Sequence, residues 1–270
     1  DDTTNKDDGY IRMFTRESGQ SITERVQIQK AGGLVSSKGG GIAFSDGYSA
    51  IEARAPEGTT QLTVTNTTYE SGTFDNETGI WFKGNYSGND ERAKSAIIHK
   101  NTGDFGVGDL YFCIDGNADN SNATVSDVKM KINSSGQVTT PSQPSFAAFK
   151  ATNSYSQSGV IVFDATKHNT GNHYNTSNGR FTAPVSGRYQ FTFFSIILGQ
   201  YSSAYYSIRR NGSAGSGMYV HITQTHNGWD NTCVTWILDL NASDYVDINS
   251  NSTINWHGND WQLFSGQLLS

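Results

Sequence analysis

Residues 163–193 constrain the fold of this 270-residue chain more than any other stretch. Within them Phe163, Asn169, Tyr174, Phe181, Gly187, Tyr189, Phe191 and Phe193 stand at fixed offsets. The last three alternate, which puts their side chains on one face of a strand. Gly187 sits where a turn leads into that strand, and Pro184 suits the end of the strand before it. Asn169-Thr170-Gly171-Asn172 is dense in residues that accept positive φ at little cost. These positions predict a run of strands, punctuated by Gly and Asn, with an aromatic core face. The rest of the chain agrees: Gly, Asn, Ser and Thr abound, good helix formers are few, and no window carries a sustained helical period with caps. The chain reads as all-β.

The eight positions, with Val160-Ile161-Val162-Phe163-Asp164, Phe181-Thr182-Ala183-Pro184-Val185 and Phe264-Ser265-Gly266-Gln267-Leu268-Leu269, carry a specific resemblance. Residues 145–270 resemble the globular head domain of complement component 1, subcomponent q. The resemblance implies a ten-stranded jelly roll, similar to the tumour-necrosis-factor fold, that assembles as a homotrimer. It also implies that the last strand lies beside the first. Along residues 189–198 the alternation fails, because Phe194, Ile196 and Leu198 make the second face apolar too. A strand apolar on both faces is covered on both. A loop of the same chain is one cover; the resemblance favours a sister subunit and marks these three residues as trimer interface.

The net charge is −6 and the basic residues are scattered, which argues against nucleic acid as a partner. The longest apolar run, residues 191–198, is too short to cross a bilayer. The chain begins Asp1-Asp2 with no signal-like segment, so it reads as a fragment or processed product. Cys113 and Cys233 fall in different predicted domains and read as two buried free thiols, which fits a cytosolic assembly route.

The first half is read as a shaft repeat over 1–48 and a β-rich repeat domain over 49–144. Arg25-Val26-Gln27-Ile28 with Gly32 and Leu34 matches Lys129-Met130-Lys131-Ile132 with Gly136 and Val138 as strand, turn, strand. Gly41-Ile42-Ala43-Phe44 echoes Gly79-Ile80-Trp81-Phe82. Each unit has too few apolar residues for a core of its own and gains stability by stacking or by winding around sister chains. This half loosely resembles the shaft repeats of bacteriophage tail fibres. The polar, twice proline-blocked stretch Thr139-Thr140-Pro141-Ser142-Gln143-Pro144 marks the boundary with the head.

No catalytic residues are predicted: the six His have no ligand spacing, and neither H-E-x-x-H nor G-x-S-x-G occurs. Asp115, Asn117, Asp119 and Ser121 alternate as oxygen ligands do in calcium loops, but the required Gly and closing Glu are missing, so a turn is preferred. Sequons such as Asn66-Thr67-Thr68 and Asn241-Ala242-Ser243 are numerous, as composition alone would produce.

The leading functional expectation is a non-enzymatic virion protein, the distal part of a tail fibre that binds a host cell-surface glycan or protein and docks to other virion proteins through its N-terminal side. The first alternative is a secreted complement-q-type ligand or lectin, and the second a capsid or baseplate decoration without a receptor. Counting strand reversals back from a C-terminus at the stem end places loops 199–203, 225–231 and 251–260 at the far tip. They hold the predicted receptor-binding residues Tyr201, His226, Trp229, Asp230, Trp256, His257 and Asp260, since exposed Trp and Tyr dominate binding energy and stack on sugar rings. The alternative for Trp229 and Trp256 is packing of the loop bases. No cofactor is expected; Asp230 and Asp260 would be the ligands if calcium sat at that tip.

Overall fold

The computed structural model describes residues 11–15, 23–28, 34–36, 76–84 and 92–270. Among them every element longer than one turn is a strand, and no helix is long and apolar enough to cross a membrane. Near the N-terminus, β1 (Ile11–Thr15), β2 (Thr23–Ile28) and β3 (Leu34–Ser36) form an antiparallel meander in which Ile28 faces Leu34. The predicted boundary at 48, the Gly41–Phe44 echo and the strand expected at 61–65 lie outside the described residues.

A second antiparallel meander follows: β4 (Glu77–Gly84), β5 (Arg92–Asn101), β6 (Gly108–Ile114), β7 (Val128–Ile132) and β8 (Val138–Thr139). The hairpin between β7 and β8 is the predicted repeat turn, with Gly136 at φ +79° and its amide donating to the Asn133 carbonyl at 2.8 Å. Residues 115–127 fold back over one face of this sheet, where Ala123 packs with Ala96, Ile98 and Cys113. The alternating oxygens, read from the sequence as a turn, meet Lys94: its Nζ donates to Asp115 Oδ2 at 2.6 Å and Asp119 Oδ1 at 2.7 Å, and Ser121 Oγ donates to Asp115 at 2.9 Å. These hydrogen bonds hold both carboxyls below the ordinary range and raise the Lys94 ammonium. Stability from depressed carboxyls is complete above their unfolded pKa of about 4 and is lost as pH falls through the lowered folded values. Thermal melts should therefore show this sheet weakening below about pH 4. Lys94→Met should lower its stability at neutral pH and flatten the acid dependence; an unchanged acid limb would remove this account.

The head comprises β9 (Ser145–Phe149), β10 (Ser154–Val160), β11 (Ala165–Thr170), β12 (Tyr174–Asn175), β13 (Arg180–Thr182), β14 (Gly187–Leu198), β15 (Tyr201–Arg210), β16 (Tyr219–Gln224), β17 (Trp229–Leu240) and β18 (Tyr245–Leu268). They make ten strands of a nearly closed jelly roll. One layer runs β11–β9–β18–β14–β17 through the C-terminal part of β18. The other joins β16 to β15 and the N-terminal part of β18, where β10 and β13 also pair. Between the layers lie the predicted aromatics: Phe163, Tyr174, Phe181, Tyr189, Phe191 and Phe193 are all buried. Phe146 stacks on Tyr174 at 4.8 Å and on Phe181 at 5.1 Å between ring centres. Asn169 closes its turn by accepting from the Tyr174 amide at 3.1 Å and donating to the Tyr174 carbonyl at 2.8 Å. Gly266 must lack a side chain, because a Cβ there would meet the rings of Phe191 and Phe146.

Two expectations are corrected here. Residues 251–260 are not a free loop, because residues 254–257 pair with β10 and residues 255–257 also pair with the end of β14. Cys233 is not buried. Both thiols are free, but Cys233 is exposed opposite Phe194 on the outer face of β14 and β17, while Cys113 is buried.

Candidate functional site

The head has two distinct ends. Gln267 on β18 pairs with Ser145 on β9, so the final strand does lie beside the first, and the Leu268 amide donates to the Pro144 carbonyl at 3.0 Å. From there β14 runs twelve residues to Leu198, about 36 Å away at the usual rise per residue. At that far tip Leu198 pairs with Trp229 on β17 and with Asn255 on β18. The turns 199–200 and 225–228 are tied together, with Gly199 N donating to Gly228 O at 3.3 Å and Gln200 Nε2 donating to Thr225 O at 2.9 Å.

The pairing of β14 with β18 jumps from Gln262 to His257, so residues 258–261 leave the ladder as a four-residue excursion. Asn259 there has φ +57°. The excursion is pinned to the β9–β10 connection, since Gly258 N donates to Asn153 O at 2.7 Å and Asn259 N donates to Lys150 O at 2.6 Å. A Cβ on Gly258 would overlap the Thr152 carbonyl. Glycine is therefore required by close backbone approach.

These elements assemble an aromatic row. His257 lies 4.6 Å from Trp229 and 5.7 Å from Trp261 between ring centres, and its Nδ1 is 2.7 Å from the Asn153 carbonyl. Trp229 is 52% exposed and Trp261 51%. A shallow cleft of about 200 Å3 beside Trp229 is lined by Ser154, Tyr155, Ser156, Leu198, Asn255 and Trp256. Rings with open faces, set among amides and hydroxyls, can stack on a flat apolar ligand face and exchange hydrogen bonds around it.

Of the predicted tip residues, Trp229 and His257 enter this row. Asp230 and His226 are exposed nearby, and Asp230 Oδ1 accepts from the Asn231 amide at 2.8 Å. Tyr201 is half-buried and ties the tip together: its hydroxyl donates to Leu198 O at 3.0 Å and accepts from Asn255 N at 2.8 Å. Asp260 lies in the excursion, and its side chain falls outside the described residues. Trp256 is corrected. It is 1% exposed and packs against Phe193 and Tyr206, because its alternation along β18 turns it inward. Trp261 is the residue missed, one position beyond the predicted loop. Among the described residues no three His, Cys, Asp or Glu side chains come together as metal ligands would.

Phe194, Ile196 and Leu198 are half-buried on the outward face of β14. Phe194 is flanked by Leu263 and Cys233, and the 59%-exposed Ile237 lies further toward the stem, opposite Gln190. Toward the stem the same face turns polar, with Gln190, Thr192, Ser265, Gln267 and His168 lining a groove.

Residues 145–269 match the sequence family described as the C1q domain. The chain is 30% identical over 128 residues to complement C1q tumor necrosis factor-related protein 3 of Mus musculus, covering 47% of this chain and 51% of that protein. The Homo sapiens protein of the same name is 36% identical over 77 residues, covering 28% and 31%. The chain thus spans about half or less of the curated relatives it matches. Among solved structures, the globular domain of zebrafish complement 1qA aligns at 17% identity and TM-score 0.37, over 47% of this chain and 98% of that one. Eiger TNF of S. frugiperda aligns at 11% identity and TM-score 0.37, over 47% and 94%. The tail-fibre expectation is corrected by these matches. The relatives are complement C1q-related animal proteins, which support neither a virion location nor virion partners and favour the secreted alternative.

Proposed function

Because residues 145–269 form a C1q-type head, we propose that this chain is a non-enzymatic, secreted recognition protein that works as a homotrimer and binds carbohydrate through its tip. The C1q match supports the non-enzymatic and secreted parts of this reading. The apolar outward face of β14 supports the trimer, since a sister head would cover Phe194 and shield the exposed Cys233 opposite it, whereas Ile196 and Leu198 stand beside His257 and Trp229 at the tip end of that face. The observation that carries the binding site is the row Trp229–His257–Trp261, with two half-exposed indoles, one at the start of β17 and one on the pinned excursion. Three such rows on one trimer would raise avidity for a repetitive glycan even where each site is weak.

Glycan-array binding and light scattering test the two parts separately. The native chain should be trimeric at micromolar concentration, and a monomer would refute the assembly. The double variant Trp229→Ala, Trp261→Ala should stay trimeric and lose at least about tenfold in glycan binding, as loss of anchor residues does. Trimeric variant protein with unchanged binding would move the site elsewhere, and dissociation would assign the row to the subunit interface instead.

A further inference from the structure

The meander β4–β8 separates its charges by face, with Lys129 the exception. Register and alternation put Glu77, Lys83, Arg92, Lys94, Lys100, Asp109 and Lys131 on one side. That side is the one covered by residues 115–127, and its ion pairs include Lys94 with Asp115 and Asp119, Lys100 with Glu77, and Lys131 with Asp109. The other side carries Ile80, Phe82, Ile97, Leu110, Phe112, Ile114, Met130, Ile132 and Val138. Its polar members include Thr78, Ser95 and His99, and Lys129 at the bulge between Phe112 and Cys113 is its one Lys, Arg, Asp or Glu among the described residues. Ile80, Phe82, Ile114 and Val138 are each more than two-fifths exposed. Monomeric proteins rarely leave so continuous an apolar face in water.

We propose that this face is a second self-association surface, on which two sister copies of the same sheet pack around a common axis below the head. The inference rests on the trimeric reading of the head. A second copy is the occupant favoured by the tether. Only residues 140–144 separate β8 from β9, a span of at most about 18 Å. The head end of that tether is fixed, with Leu268 N bonded to Pro144 O and Gln143 Nε2 bonded to Leu268 O at 3.3 Å. Trimeric heads therefore hold three of these sheets within a short radius, at the high effective concentration that makes weak apolar contacts close. Charge agrees: with Lys129 at its bulge the one Lys, Arg, Asp or Glu among the described residues, this face meets its own copies with little like-charge repulsion, while the charged faces stay in solvent. Two layers with apolar faces together pack about 10 Å apart, the ordinary distance between stacked sheets.

Site-directed cross-linking of the full chain tests this, in a Cys233→Ala background that leaves only the buried Cys113. Ile80→Cys and, separately, Ile114→Cys alter exposed positions that the sheet does not need for folding. Each is treated with a short bismaleimide and run on a denaturing gel, with Lys83→Cys on the charged face as control. Covalent dimers and trimers from Ile80→Cys or Ile114→Cys, and none from Lys83→Cys, are expected. Only monomer bands from a chain that light scattering shows to be trimeric would overturn the proposal, leave the head trimer standing and assign the cover to another part of the chain or another partner. A chain that is monomeric by scattering would remove both readings.

Discussion

Trp256→Ala is expected to cost the head about 3–5 kcal/mol, the range for removing a fully buried large aromatic. The ring fills the core beside Phe193 and Tyr206, at 5.9 and 6.2 Å between centres, and its Nε1 donates to the Gln157 carbonyl at 3.3 Å. The cavity left behind cannot collapse easily, because β10, β14 and β18 are fixed to one another around it by ladder bonds. Trp229→Ala, at a half-exposed ring on the same tip, should stay within about 1 kcal/mol of the native protein. Urea unfolding of the two variants side by side makes the comparison, with equal losses contradicting the inward placement of Trp256. The pair also protects binding experiments from misreading: a loss of binding on Trp256→Ala would report unfolding, whereas one on Trp229→Ala would report the surface.

Arg209→Met should cost about 3 kcal/mol or more, because it strips a buried carboxylate of its main partner. Asp247 is fully buried and sits directly opposite Arg209 across β15 and β18. The guanidinium grips it with two hydrogen bonds, Nε to Oδ1 at 2.7 Å and Nη2 to Oδ2 at 3.1 Å. Arg180 approaches from the β13 side with its Nε 3.5 Å from Asp247, outside good hydrogen-bond geometry, and lies over the Tyr245 ring at 4.1 Å. Arg180→Met should therefore cost only about 1 kcal/mol or less, as for a more exposed ion pair. Chemical denaturation of both variants distinguishes the partners. Matching losses would mean that the two arginines share the charge equally.

The head was legible because its information is local and periodic. Phe163, Tyr174, Phe181, Tyr189, Phe191 and Phe193 are large apolar rings at offsets that only a common core reconciles, and all six are buried together. Asn169 was legible for the same reason, since a turn amide admits few residue types, whereas the close approach of Gly187 to the Ser270 carbonyl was visible only in the structure. The end of the head carrying the tip followed from strand reversals, which topology constrains strongly. The functional class was not legible, since the first half of the chain is open to several roles and it is the relatives of the head that favour the secreted alternative.

What the sequence alone determined, then, is the aromatic core, the all-β class and the run of β14 from Gly187 to Leu198. These depend on side-chain period and turn chemistry within a few residues. The tertiary structure alone decided the state of residues 251–260. Asn and Ser there read as a loop because their intrinsic strand preference is low. The neighbouring strands β10 and β14 supply hydrogen bonds that overrule that preference, carrying Trp256 into the core and pushing residues 258–261 outward. The same non-local pairing brings Trp229, His257 and Trp261 into one row, though they stand up to thirty-two positions apart in the chain. It likewise places Lys94 between Asp115 and Asp119, a pairing that the local reading of this stretch as a turn did not foresee. In each case the deciding contact joins segments distant in sequence, and no local pattern records which partner a strand or charge will meet.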